Sequence, residues 1–563
     1  MSKNHFAAVI VGATVLLGFL AYANTFAGDW VWDDVSSVLL HENVHQPGQF
    51  FQLFQEDQHA FGRGQGNFYR PLVSVSFMVD FWLSYSPTLD GSEVKGYPDV
   101  KPFIFHLSNL LWHLAAAVLL FFLLVRLQAP RMIQAVAPML YVLHPMHTEA
   151  VAYISGRADM MSATFILAAL LSATIPAGSK SRYLGIVASG IFFILGLCSK
   201  ESTMIYPVLL ALVITLTPRE DGTAATRADW KSRSLPLAVA VALLVAYGAL
   251  RATVLKFSEG GASNGTGLGQ RLIETCQAFA FYIKTLFVPS GLHMEQTLTG
   301  VPVWTAALGF LALAFVLVLI VISYRKQHYR IALGLAWFLA AWLPISGIFP
   351  LNAPMAEHWM YVPMAGFWWA ILELLLLLSK TAKLRLLVPV LATVLAVVFL
   401  HSTIVRNQDW QSNEAIFRAT LAENPDTIRV HTNLATTYDY LEGNLAGARR
   451  HYEAVVKRYS TSDEGMLPEE IPIRLSLAEV LLRQGEYQEA IRHFGRLTGI
   501  AADPNYKGEV ARAALGLGEC YLALGDYGRA SQAFQQANTL DPTISSRSSA
   551  ILRGEPLPYG GRQ

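Results

Sequence analysis

Between Phe103 and Thr217 the chain runs for 115 residues with only nine charged side chains: Arg126, Arg131, Glu149, Arg157, Asp159, Lys180, Arg182, Lys200 and Glu201. A surface facing water cannot be built from so few charges, so most of this stretch has to lie in hydrocarbon. The composition of the 563 residues agrees, with 53% hydrophobic and 15% charged against roughly 25% charged in soluble domains. From Thr427 to Gln563 charges are frequent and long apolar runs are missing, so the two parts belong to different solvents. A soluble single-domain enzyme is excluded. The net charge of +1 gives nucleic acid no electrostatic footing as a partner. Cys198, Cys276 and Cys520 lie far apart with no CxxC, which predicts buried thiols and neither a disulfide framework nor a zinc knuckle.

Apolar runs recur at 6–22, 103–125, 132–143, 158–175, 183–198, 203–217, 235–255, 303–323, 331–349, 362–379 and 385–404, which gives about eleven spans. Ala21-Tyr22-Ala23 also resembles a signal-peptide cleavage site, but a first span is needed to orient the many that follow, and a retained helix is expected. With Lys3 inside, every basic cluster falls in a cytoplasmic loop: Arg126 and Arg131, Lys180 and Arg182, Arg219 to Arg233, Arg325 to Arg330, and Lys380 to Arg385. Two segments break the alternation. Residues 271–289 carry Glu274 and Lys284, and 68–86 carry Arg70 and Asp80; both read as interfacial or re-entrant helices on the outer side.

Leu517, Gly518, Tyr521, Gly525, Tyr527, Ala530, Phe534, Ala537 and Pro542 fit the tetratricopeptide pattern of small, aromatic and helix-breaking positions. A second copy runs through Leu477, Ala478, Leu481, Gly485, Tyr487, Ala490 and Phe494. A weaker first copy uses Leu434, Ala435, Tyr438, Gly443, Ala448 and Tyr452, with an extra residue in its turn. Three such units bury a common core and leave a groove suited to a peptide or protein. The expected fold is therefore all-α: a polytopic membrane domain over 1–405 with a long outer loop at 25–102, a linker at 406–426, an extracytoplasmic repeat solenoid over 427–545 and a flexible tail at 546–563.

Charge at a membrane edge is expensive, so each surviving charge needs a reason. In this topology Glu149, Arg157, Asp159, Lys200 and Glu201 all fall at outer helix ends, in HPMHTEAVAYISGRADMM (144–161) and CSKES (198–202). NAPMAEHWMYVP (352–363) and DWVWDD (29–34) face the same side, so four loops bring polar residues to one surface.

The ordered set WDD, YRPL, FHLSNLLWH, HPMHTEAVAYISGRAD, SKES and AEHWMYVP, followed by repeats, resembles the transmembrane and tetratricopeptide-repeat O-mannosyltransferases and their bacterial relatives in the GT-C superfamily. The likeness covers nearly the whole chain, although only three repeats are visible where animal members carry more. It implies an inverting transferase that moves a hexose such as mannose from a polyprenyl-phosphate donor to a Ser or Thr hydroxyl, with the repeats binding the protein acceptor. Compact size and few repeats point to a bacterial inner membrane, with the N-terminus cytoplasmic and the repeats periplasmic. A lipid or glycan acceptor, or a non-enzymatic repeat scaffold, are the rival readings.

The resemblance implies that Asp33 and Asp34 are the acidic pair of the first outer loop, with Asp34 favoured as base and Asp33 orienting it or the sugar. An Asx turn or helix cap is the alternative for both. Two adjacent carboxylates repel, so one is held protonated or paired with a cation, which leaves a divalent ion open. Arg157, Lys200 and Arg70 are the candidates for the donor phosphate, in competition with ion pairs to Asp159, Glu201 and Asp80 respectively. His144, His147 and Glu149 imitate a metal site without matching a zinc spacing, and sugar binding or loop anchoring is preferred for them. Glu357, His358 and Tyr361 are expected to line the sugar or phosphate site, or to pack the loop. His106 and His113 are assigned to packing between helices, and Asn264-Gly265-Thr266 is a glycosylation sequon only in a host that uses it.

Overall fold

The computed structural model describes residues 2–58, 68–84, 100–176, 179–217, 227–255, 267–298, 300–349, 351, 353–381, 386–459, 466–500 and 504–544. The 264–266 sequon, the expected tail at 546–563 and positions 219, 352, 383 and 385 lie outside these residues. Among the described residues there are helices and turns and no strand, so the fold is all-α. Helices of nine residues or more are numbered α1 (Lys3–Tyr22), α2 (Pro71–Ser84), α3 (Phe103–Arg126), α4 (Arg131–Leu143), α5 (Arg157–Ala173), α6 (Arg182–Leu197), α7 (Tyr206–Leu216), α8 (Arg227–Thr253), α9 (Leu268–Phe287) and α10 (Trp304–Arg325). They continue as α11 (Tyr329–Trp342), α12 (Tyr361–Thr381), α13 (Leu387–Asp409), α14 (Asn413–Glu423), α15 (Ile428–Thr436), α16 (Leu445–Tyr459), α17 (Glu470–Gln484), α18 (Tyr487–Thr498), α19 (Lys507–Ala523) and α20 (Tyr527–Leu540). The chain divides into two compact units, Met1–Ile416 and Phe417–Gln563.

In the first unit every one of the eleven apolar runs forms a helix. Seven segments are long and apolar enough to cross a membrane: Lys3–Ala27, Phe103–Arg126, Ile154–Ala173, Ser234–Thr253, Trp304–Arg325, Glu357–Lys380 and Leu387–Asp409. They make the chain an integral membrane protein. The remaining four runs form shorter apolar helices, Arg131–Leu143, Arg182–Leu197, Glu201–Leu216 and Tyr329–Ile345. A helix of 13 residues such as α4 reaches only about 20 Å, short of the roughly 30 Å of hydrocarbon. The segments at 68–86 and 271–289 hold α2 and α9, neither of which is among the seven.

Burial separates the helices by role. The segment Ile154–Ala173 is 94% buried and forms the centre of the bundle, whereas only 11% of Trp304–Arg325 is covered, leaving α10 to face lipid. Helices α11 and α12 cross through two glycines: a Cβ on Gly334 would stand 2.8 Å from the Gly366 carbonyl oxygen, and one on Gly366 would stand 2.6 Å from that of Gly334. Of the three free thiols only Cys520 is buried; Cys198 caps the end of α6 and Cys276 lies on the half-covered α9, so both are partly exposed, against expectation.

In the second unit α15/α16, α17/α18 and α19/α20 form three helix pairs. Each turn is closed by a glycine in the left-handed region, Gly443 (φ 66°), Gly485 (φ 81°) and Gly525 (φ 78°). The extra residue of the first pair is absorbed where α15 widens into a π-helical turn at Thr437–Glu442. Small residues admit the aromatic rings: a Cβ on Gly518 would lie 2.4 Å from the Phe534 ring. Gly518→Val is therefore expected to destabilise this unit by ~1–3 kcal/mol. Gly495→Ala, whose Cβ meets nothing within 4 Å, is expected to be neutral or stabilising. Unfolding midpoints of the two full-length variants check the contrast.

Candidate functional site

The WDD turn follows a short 3₁₀ extension of α1. Trp32 takes φ +53°, a left-handed conformation that is uncommon for so bulky a residue. Its N–H donates to Asn413 Oδ1 at 2.8 Å, and its indole stacks on Tyr153 with centroids 5.9 Å apart; Tyr153 in turn stacks on Trp410 at 5.3 Å. This reversal of the chain sends the two neighbouring carboxylates to different places. Asp34 is 1% exposed, and its oxygens accept from the backbone N–H groups of Val31 (3.0 Å) and Ser155 (2.8 Å). Burial pushes its carboxyl up to about 7 despite those bonds. Asp33 is half-buried and meets the Tyr153 hydroxyl, and burial, with both carboxylates behind it, keeps Tyr153 the neutral phenol.

The basic residues are sorted in the same way. Arg157 is fully buried. Its guanidinium bonds Asp80 at 2.5 Å, Asn109 Oδ1 at 2.6 Å, Ser76 Oγ at 3.0 Å and the Phe105 carbonyl at 3.0 Å, and lies over the Phe77 ring. Lys200 Nζ sits 2.6 Å from both oxygens of Asp159, and Arg70 pairs with Glu201 at 3.1 Å. These two cations keep open surface, 10% and 14% of their side chains, while Arg157 has none to offer a phosphate. Each cation thus has a different partner from the one expected. Residues two apart on a helix point to different faces, so Arg157 does not meet Asp159, while Lys200 lies in extended backbone before the turn that begins at Glu201 and reaches back to Asp159.

The third group lies between the loop before α12 and the end of α13. Glu149 Oε2 accepts from the His358 backbone N–H at 2.9 Å and pairs with its ring at 3.0 Å. Burial alone would raise the Glu149 carboxyl, but His358 holds it below the ordinary value. Arg406 bridges Glu357 (3.2 Å) and Asp409 (2.8 Å) and lies near the Trp410 ring. His144 and His147 meet edge to face with centroids 6.4 Å apart, while Glu149 turns to His358 instead. His144 bonds the Leu286 carbonyl at 3.1 Å, and His147 is buried among Tyr141, Tyr361 and His113. Tyr361 faces the same core, its hydroxyl 2.5 Å from His113 Nδ1. Among the described residues no group of three or more His, Cys, Asp or Glu is placed to hold a metal ion.

The structure therefore brings Asp33 and Asp34 to one turn, Arg70, Lys200, Glu201 and Asp159 to a charged cluster, and Glu149, Glu357 and His358 to a third, with Arg157 beneath the first two and His144, His147 and Tyr361 in the core. Sequence reasoning missed Tyr153, Trp410, Asn413 and Arg406. The signal for Arg406 was a charge two residues beyond the last apolar run; the aromatic stack had none, because its rings come from three distant segments.

The family model of the tetratricopeptide repeat matches residues 470–541. The protein O-mannosyl-transferase TMTC3 of Homo sapiens is 23% identical, over 97% of this chain and 62% of its own length. The protein O-mannosyl-transferase F38B6.6 of Caenorhabditis elegans is 24% identical over 75% of this chain and 58% of its own. Along most of its length the chain is thus similar to proteins named as O-mannosyl-transferases, and residues 470–541 match the tetratricopeptide repeat. It spans about three fifths of the length of the curated relatives it matches. The S. cerevisiae protein O-mannosyltransferase Pmt1-Pmt2 complex bound to the sugar donor aligns with a TM-score of 0.29 and 14% identity, over 45% of this chain and 35% of that one.

Removing the partner of a buried charge is costly, so Asp80→Ala should lower stability by ~3–5 kcal/mol and Asp80→Asn by less, as read from thermal unfolding in detergent. Asp34 carries the opposite pH signature to an ordinary ion-paired carboxylate. Its folded value lies above its unfolded one, so its stabilising contribution is complete below the unfolded value and is lost as pH rises through about 7. The melting temperature of wild type relative to Asp34→Asn should accordingly fall between about pH 4 and about pH 7 and level off above that; parallel curves would contradict the assignment.

Proposed function

We propose that the chain is an inverting transferase that passes mannose from a polyprenyl-phosphate donor to a Ser or Thr hydroxyl of a protein, on the extracytoplasmic side of its membrane. The observation that carries this reading is the span from Ser155 to Asp159. Its first amide holds Asp34 beside the WDD turn, and its last side chain holds Lys200 beside Arg70 and Glu201. An accessible carboxylate and two partly open cations thereby share one short helical segment.

In this reading Asp33 is the base, in preference to Asp34. Asp33 keeps open surface, whereas both oxygens of Asp34 are already taken by backbone amides. The acceptor hydroxyl gives its proton to Asp33 as its oxygen forms a bond to the anomeric carbon. The bond from that carbon to the phosphate oxygen breaks, and the electron pair leaves with the phosphate. Arg70 and Lys200 stabilise the departing charge, with the phosphate taking the place of Glu201 on the Arg70 fork. Asp34, Arg157 and Asp159 hold these groups in position. Glu149, Glu357 and His358 form the wall of the sugar site, and the repeat unit offers its groove to the acceptor chain. Nothing in this scheme requires the divalent cation.

The test is transfer by the purified full chain, supplied with radiolabelled polyprenyl-phosphate mannose and a Ser/Thr-rich peptide pool. Asp33→Asn should lose 10²–10⁴-fold in rate, the order of magnitude for a general base. Asp34→Asn should lose less rate and more stability, and Arg70→Ala should raise the donor KM. Folded protein that neither binds donor nor labels peptide would leave a repeat-bearing membrane scaffold as the better reading.

A further inference from the structure

A cavity of about 520 Å³ lies apart from the three charged groups, between the first turns of α9, the segment leading into α10 and the connection after α11. Arg271, Glu274 and Thr275 line it from one helix face, with Ser346 and Gly347 opposite and Val301 and Val303 at its rim. Thr275 is 4% exposed and its hydroxyl has no partner. Arg271 Nε is likewise buried and unpartnered, and the guanidinium makes one long contact, 3.4 Å to the Ile348 carbonyl. The start of α9 lacks a side-chain cap, so its first amides add donors to the same end. Unmatched donors in a half-open recess call for an acceptor, and a phosphate ester supplies several oxygens for a guanidinium, a hydroxyl and helix-terminal amides.

The surroundings narrow the class of ligand. Val303, the residue before α10, lines the cavity, and, level with Ser234–Thr253, α10 is one of the two spans least covered by protein. Val303, Trp304, Leu308, Leu311 and Phe315 are all exposed along it. A polar recess at the end of a lipid-facing helix stands at headgroup depth, with an apolar track beneath it for acyl chains. Glu274, whose Oε1 accepts from Gln270 at 2.9 Å, places a carboxylate on the same wall as Arg271. One cation and one anion in a single recess match a headgroup carrying both a phosphodiester and a primary ammonium.

We infer that the cavity between α9, α10 and the connection after α11 is a lipid headgroup site for a zwitterionic phosphodiester bearing a primary ammonium, of the phosphoethanolamine type. The phosphodiester meets Arg271, Thr275 and the start of α9, and the ammonium meets Glu274. The site is independent of the transfer chemistry proposed above.

The test is native mass spectrometry of the full chain released from nanodiscs of phosphatidylethanolamine mixed with phosphatidylglycerol or phosphatidylcholine. Wild type should retain phosphatidylethanolamine over both: phosphatidylglycerol has no ammonium, and the methylated ammonium of phosphatidylcholine has no N–H for Glu274. Arg271→Ala should lower retention by about tenfold or more, as expected for lost charge-assisted bonds. Glu274→Gln should retain phosphatidylethanolamine and phosphatidylglycerol equally. Lipid-free melting temperatures of both variants should match wild type, which separates a lost site from a lost fold. Equal retention of all three lipids by wild type, variants that retain lipid as wild type does, or loss of retention only with loss of fold would overturn the assignment. So would displacement of phosphatidylethanolamine by polyprenyl phosphate or by inorganic phosphate, which would make the site one for the carrier lipid or the free anion.

Discussion

Everything at the loop end of the membrane unit depends on neutralising one charge. Arg157 is wholly enclosed, and a guanidinium cannot shed its proton to escape that environment. The structure answers with a carboxylate from α2, an amide oxygen and a carbonyl from α3, and the face of an aromatic ring. Helices α2 and α3, which also share an apolar core with the start of α5, are thereby fixed around it. Once that start is fixed, Ser155 presents its amide to Asp34 and Asp159 presents its carboxylate to Lys200. The buried pair thereby sets where the two neighbouring carboxylates sit while exposing almost nothing itself.

Much of this arrangement was legible in the residues. The apolar runs were found because twenty or so residues without charge have few uses outside a bilayer. The repeat unit was found because glycines at 443, 485 and 525 fall where an L side chain would be strained. The charged motifs were found because charge near a membrane demands explanation. Pairing within the motifs was not legible. Arg157 with Asp159 and Lys200 with Glu201 are neighbours in the chain, which makes them tempting partners, yet the helix turns the first two apart, Lys200 leaves its turn in extended backbone, and the true partners lie 77 and 41 residues away. The different surroundings of Asp33 and Asp34 were not legible for a related reason. They turn on the backbone of Trp32, whose left-handed conformation is paid for by stacking on Tyr153 and a bond to Asn413, neither visible from local sequence.

The three charged groups also differ in how much freedom they keep. Arg157 and Asp80 are locked on every side, Lys200 and Asp159 are nearly so, and Arg70 with Glu201 is the most open pair. Exchange of one partner for another is cheapest where solvent already screens the pair, so the gradient runs from scaffold to exchangeable contact across a single cluster.

The crossing of α11 and α12 at Gly334 and Gly366 has a thermodynamic consequence of its own. Most helix pairs surrender rotamer freedom when their side chains interlock, and that loss rises with temperature. A joint made of two glycines has no rotamers to surrender at its point of nearest approach, while backbone atoms at short range gain the full dispersion attraction. The α11–α12 hairpin therefore associates with little entropic opposition at its crossing, and heating should loosen it later than the side-chain-packed joints around it.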